Sequence, residues 1–207
     1  MNYQYSGQEE EGRSKRELIL EAAYDVFSRK GYHRATIDEI IALADTGKGT
    51  VYNYFVNKEQ LFYTLISEKN APFETAMTEL VDSSEEPLRK VEDAIRLFLR
   101  FYAINGNLWR VLMHEMRGFG AEGASNLKPE LREKYRVTLH GTIGQLAAVL
   151  REGVQQGVLR TCDVDKAALG LYSAIVAMVF LNQVSDDIDV TARSIADMFL
   201  YGIAKQS

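Results

Sequence analysis

The sequence predicts an all-α protein of about nine helices, arranged as a small three-helix unit followed by a larger helical one. Apolar residues recur at spacings of three and four through nearly the whole chain, the pattern of helices that bury one face. Helix-start and helix-stop residues punctuate that pattern: Thr36 with Glu39, Pro129 and Asp163 at starts, and Gly31, Gly106 and Gly157 at ends. The longest apolar run, residues 167–181, is shorter than the roughly 20 residues a membrane span needs and contains Gly170, Tyr172 and Ser173, so it reads as a buried helix.

The first helix is expected over 14–30, where Ile19, Ala22, Ala23, Val26 and Phe27 form an apolar stripe that Gly31 terminates. A short link leads to Thr36. The Thr36 hydroxyl can accept from the Glu39 backbone N–H while the Glu39 side chain reaches back, a capping box that opens a helix carrying Ile37, Ile40, Ile41 and Ala44. Asp45, Thr46 and Gly47 break it, since Asp and Gly both tolerate backbone conformations other residues avoid. A third helix then runs over about 48–55, with Val51 and Phe55 packing inward. Three helices within about 45 residues can enclose a helix-turn-helix core.

A fourth helix through Leu61, Phe62, Leu65 and Ile66 continues towards Leu80, with Pro72 marking a kink or restart. After the turn-rich 82–87 stretch, Val91, Ala94, Ile95, Phe98, Phe101, Tyr102 and Asn105 share one stripe. Gly106 is expected to end that helix, and 107–117 to form another, bearing Trp109, Leu112, Met113 and Met116. The Gly-rich 118–128 segment reads as a mobile loop. Pro129, at a first-turn position, opens a long helix ending at Gly157; Asp163 caps one that runs to about 182; the last covers 190–204. The first dozen residues read as a disordered tail, which gives domains of 13–58 and 59–207.

With 46% hydrophobic and 26% charged content, 207 residues can bury a proper core. A single cysteine, Cys162, excludes an internal disulfide framework and fits a reducing cytoplasm; with His33, His114 and His140 it shows no metal-ligand spacing, so no metal or cofactor is expected. The N-terminus lacks the basic start and apolar run of a signal peptide, and no membrane partner is expected. The net charge of −5 argues against nucleic acid until its distribution is read. Between Arg13 and Lys58, eight basic residues face six acidic ones, which leaves a local excess of +2.

The third helix exposes cations, hydroxyls and an amide, a surface suited to a phosphate backbone and base edges. Asn53 can pair bidentately with adenine, Lys48 can reach guanine, and Gly49 permits close approach. For Tyr52 and Tyr54 the competing expectation is that one ring packs on the first helix.

Residues 14–62 resemble the N-terminal domain of the tetracycline-repressor (TetR) family of transcriptional regulators. The resemblance rests on Ala22, Ala23 and Phe27, on Gly31-Tyr32, on Thr36-Ile37 with Ile40, and above all on the Lys48-Gly49-Thr50-Val51-Tyr52-Asn53-Tyr54-Phe55 run followed by Asn57-Lys58-Glu59 and Leu61. It implies that Thr36 caps its helix and contacts a phosphate, that Lys48, Gly49, Thr50 and Asn53 face the major groove, and that Tyr52, Tyr54 and Lys58 grip the sugar-phosphate backbone. The family's usual corner Gly is Asp45 here, and Gly47 offers no side-chain cap.

The larger domain resembles the family only in outline. Phe98, Phe101, Tyr102, Trp109, Met113 and Tyr135, with Asn105 and His114 as polar candidates, have the aromatic composition of a small-molecule pocket, although a stripe of this kind also suits a plain core. The expected partners are therefore a double-stranded DNA operator, an unknown small-molecule effector of largely apolar or aromatic character, and a second copy of the chain through the two C-terminal helices, as a homodimer. No nucleophile elbow, phosphate loop or spaced carboxylate pair suggests an enzyme. A ligand-released repressor is the reading; a helical small-molecule carrier without DNA binding is the alternative, and it leaves 48–58 unexplained.

Overall fold

The computed structural model describes residues 14–116 and 127–202. The expected N-terminal tail, most of the 118–128 loop and the end of the last helix lie outside the described residues. Among these there are eight helices and no strand: α1 (Lys15–Arg34), α2 (Ile37–Leu43), α3 (Lys48–Tyr54), α4 (Lys58–Asp82), α5 (Pro87–Met116), α6 (Pro129–Gln155), α7 (Val164–Phe180) and α8 (Ile188–Tyr201).

The chain divides into two compact units, Met1–Glu68 with Arg110–Leu127, and Lys69–Trp109 with Lys128–Ser207. In the first unit α1 packs on α2 and α3. Ser14 caps α1 through a capping box with Glu17. Gly31 interrupts the helix at φ +78°, a conformation that disfavours a side chain, so the turn over residues 32–34 leaves on a new course. The core that results is aromatic and branched: Phe27 meets Phe62 edge-on at 4.9 Å and Tyr32 lies 5.0 Å from Phe62, beside fully buried Ile19, Ala23, Ile40 and Val51.

In the second unit α6 packs on α7 and α7 on α8. Asp163 accepts from the Lys166 N–H to start α7, and Asp187 accepts from the Asp189 and Val190 N–H groups to start α8. Arg96 on α5 reaches the first turn of α8 at Asp189 (2.5 Å). Lys90 is buried, with its ammonium donating to the Val81 carbonyl at 2.9 Å and to Glu152 at 2.8 Å, which ties the end of α4 to α6.

One expected break does not occur. α5 passes through Gly106 without interruption, so one helix replaces the expected pair. A mid-helix glycine costs only about 1 kcal/mol relative to alanine, whereas each large apolar side chain buried beside it, such as Phe101, Leu108 or Trp109, gains about 1.5–3 kcal/mol. α4 includes Pro72 within a single helix.

Candidate nucleic-acid interface and aromatic cluster

The two helices that would meet DNA are set by their ends. Thr36 caps α2 reciprocally: its hydroxyl accepts from the Glu39 N–H at 3.2 Å, and its own N–H donates to the Glu39 carboxylate at 3.1 Å. The same carboxylate takes the Lys30 ammonium. Those two hydrogen bonds, with Lys30 the larger cause, hold the Glu39 carboxyl below the usual carboxylate range.

At the corner Asp45 adopts φ +44° and the Thr46 N–H bonds back to the Ile41 carbonyl at 3.2 Å. This is the Schellman termination, with the left-handed residue one place beyond the C-cap Ala44. Asp45 thus does the work of the usual glycine. Gly47 is the N-cap of α3 and makes no side-chain capping bond, so neither Asp45 nor Thr46 supplies one.

On α3, Val51 is buried and anchors the helix, with Phe55 buried just beyond its end. Lys48, Gly49, Tyr52, Asn53 and Tyr54 are exposed, and Thr50 is half-buried. Both tyrosine rings keep 45% exposure, so neither is absorbed into the core. A Cβ at Gly49 would meet nothing within 4 Å. The packing of the first unit therefore does not itself demand a glycine there. Lys48 makes a loose surface pair with Asp38 at 3.6 Å.

Lys58, expected on the phosphate backbone, has its ammonium on backbone carbonyls of its own chain. Its ammonium donates to the carbonyls of Tyr32 (2.9 Å), His33 (3.4 Å) and Ala35 (3.1 Å) and sits over the Tyr32 ring. All three donors of an ammonium are then in use, so in this arrangement none remains for a phosphate. The reason is the turn made by Gly31, which points three carbonyls at the start of α4, where a cation is the natural partner.

Sequence reasoning also missed Glu115 on α5. It is 3% exposed, and its carboxylate lies 2.9 Å from His33 Nε2 and 3.5 Å from His114 Nδ1. A signal was present: Leu108, Leu112 and Glu115 follow one another at spacings of four and three, which puts the acid on the buried face of the helix.

In the second unit Phe98, Phe101, Tyr102 and Trp109 come together. Phe101 meets Trp109 at 5.3 Å, Tyr102 meets Trp109 at 6.3 Å, and Phe73, Tyr172 and Phe180 complete the ring contacts. The Tyr102 and Tyr172 hydroxyls are 3.1 Å apart and buried, and burial pushes both phenols up. Asn105 is buried and donates to the Phe101 carbonyl, Tyr135 is buried, and the Trp109 indole N–H is buried without a hydrogen-bond partner. Met113 and His114 belong to the first unit, where the His114 side chain is 64% exposed beside Glu115. Among the described residues no group of His, Cys, Asp and Glu could hold a metal ion.

Two protein families match this arrangement: "Bacterial regulatory proteins, tetR family" over residues 19–64 and "Tetracyclin repressor-like, C-terminal domain" over residues 84–203. The chain belongs to the tetR family. It is a DNA-binding transcriptional regulator. The regulator is 31% identical to the fatty acid metabolism regulator protein of Bacillus subtilis (strain 168), over 92% of this chain and 96% of that one. It superposes with a TM-score of 0.76 and 29% identity on a crystal structure of the transcriptional regulator FadR from Bacillus subtilis in complex with stearoyl-CoA, covering 91% of this chain and 99% of that one. The TetR family transcriptional regulator PfmR from Thermus thermophilus shares the fold, with a TM-score of 0.76 at 23% identity over 90% and 99% of the two chains. No described helix of the regulator is long and apolar enough to cross a membrane.

Proposed function

We propose that the regulator is a repressor that binds a near-palindromic operator as a homodimer and is released by a long-chain acyl-CoA thioester. The observation that carries the DNA half is α3, whose exposed face joins Lys48, Gly49, Thr50 and Asn53 to the two half-exposed tyrosines. In this reading Lys48, Thr50 and Asn53 meet base edges, Gly49 lets the helix approach, and Thr36, Tyr52 and Tyr54 touch the backbone. Two such helices joined through α7 and α8 would sit about 34–36 Å apart, one turn of DNA.

The effector half is supported by the relative that holds stearoyl-CoA and by the aromatic cluster of Phe98, Phe101, Tyr102 and Trp109, with buried Asn105 bonded to the Phe101 carbonyl. Burying a methylene is worth about 0.8 kcal/mol, so about ten of them supply about 8 kcal/mol before ordering costs. Shifting the protein from 99% to 1% DNA-competent needs about 5.5 kcal/mol of differential affinity. About seven methylenes buried only in the DNA-incompetent arrangement would meet that demand, which favours a long acyl chain over a short one. The regulator acts by binding alone, without an enzymatic step, in the cytoplasm where its DNA lies.

The test uses DNA from upstream of the chain's own coding sequence in an electrophoretic shift, with stearoyl-CoA and acetyl-CoA as competitors. Trp109 is the single tryptophan of the sequence, so its fluorescence reports ligand entry without a label. Release by stearoyl-CoA alone, with a change in Trp109 emission, supports the proposal. A shift that neither thioester alters removes the acyl-CoA effector, and no shift at all removes the operator reading.

A further inference from the structure

Glu115 is the one buried carboxylate among the described residues. Taking a carboxylate out of water is expensive unless donors or cations face it, so what faces Glu115 shows what it is for. Facing it are His33 Nε2 at 2.9 Å and His114 Nδ1 at 3.5 Å, and its charge reaches the Lys58 ammonium and the Tyr32 phenol.

These groups converge on one short piece of chain. Residues 32–35 lie between the Gly31 break and Thr36, the cap of α2. Lys58 holds three carbonyls at Tyr32, His33 and Ala35, and Glu115 holds the His33 side chain. The segment that launches the DNA-reading helices is therefore gripped twice, once through its backbone and once through its side chain. The second grip comes from α5, the same helix that carries Phe101, Tyr102 and Trp109.

We propose that Glu115 is a positioning residue for DNA recognition: through His33, and together with Lys58, it fixes the 32–35 segment in the arrangement that sets α2 and α3. It touches no DNA in this role. The inference rests on DNA binding by the first unit and is independent of which effector the second unit takes.

The experiment is a double-mutant cycle on full-length protein, using a duplex enriched by in vitro selection on the wild type. Operator Kd is measured across a salt series for wild type, His33→Ala, Glu115→Gln and the double variant. Each single change is expected to weaken binding about tenfold, and the double variant to be no weaker than the weaker single, because both remove the same interaction. The slope of log K against log salt should stay at its wild-type value, since no phosphate contact is lost. His33→Gln, which keeps a donor, should recover most of the affinity. Unchanged affinity, additive losses, or a slope reduced by about 1 in His33→Ala would each overturn the proposal. His33 is 44% exposed, so its variants keep the test alive if Glu115→Gln does not fold. Failure of stearoyl-CoA to release the wild type from this duplex would count against the effector alone.

Discussion

The ammonium of Lys58 lies 4.6 Å from the centre of the Tyr32 ring and 2.9 Å from the Tyr32 carbonyl oxygen. Burial lowers the affinity of this amine for its proton, and the nearby Glu115 and Glu59 charges oppose that effect. Lys58→Met keeps the aliphatic stem and removes the donors. It should destabilise the protein by about 1–3 kcal/mol, the cost of leaving partly buried carbonyls without partners. Urea unfolding reads that loss. The salt slope of operator binding should not change, and a slope lowered by about 1 would return Lys58 to the phosphate backbone.

Asp45 carries the corner with φ +44°, one place beyond the C-cap of α2. A left-handed backbone costs most residues about 1–2 kcal/mol, and Asp less, because its short side chain bonds locally. Asp45→Gly should therefore be near neutral in stability. Asp45→Val, branched at Cβ, should cost about 2 kcal/mol and weaken operator binding with it, since the corner aims α3. Thermal melts and operator titrations on the two variants check this, and equal stability of Val and Gly would show that the corner is not under conformational demand.

The parts of the fold that local chemistry decides were legible in the sequence. The Thr36–Glu39 box, the stop at Gly31, the Asp163 cap and Pro129 at the first turn of α6 all depend on residues within a few positions of one another. Gly106 was misread because its cost is local and small, while the burial that outweighs it comes from distant partners such as Tyr172 and Phe73. The same holds at the site. Helical spacing alone separates the inward Val51 from the exposed Asn53, but nothing local says that Lys58 faces carbonyls 23 to 26 positions earlier, or that Glu115 faces His33 across 82. Long-range pairing of charged groups was the part that periodicity could not supply.

The Glu39 carboxylate gives the capping box a pH dependence. Its folded-state pKa is depressed, first by the Lys30 hydrogen bond and then by the Thr36 N–H, so it favours the fold while ionised. That contribution is complete above the ordinary carboxylate value of 4.5 and is lost as pH falls through the depressed folded value. Wild type should therefore melt above Glu39→Gln at pH 7, with the difference steady down to about pH 5 and shrinking below it. Circular-dichroism melts on both proteins from neutral to acid pH make the comparison. A difference that does not vary with pH would mean that the charge of Glu39 is irrelevant to the box.

Leu169, Leu181, Val190, Met198 and Tyr201 are large apolar residues exposed on or beside α7 and α8. Pairing these helices with their copies would cover them. Met198 is a clean probe, because its side chain is exposed in its own chain. In a monomer Met198→Glu changes an exposed residue and should alter stability by less than about 0.5 kcal/mol. In a dimer it places an unpaired carboxylate in an apolar interface. Light scattering should then report monomers with unchanged helical content. Operator affinity should fall by about 10²-fold or more as the second half-site ceases to be an intramolecular event. A variant that stays dimeric and binds as tightly as wild type would move the interface off α8.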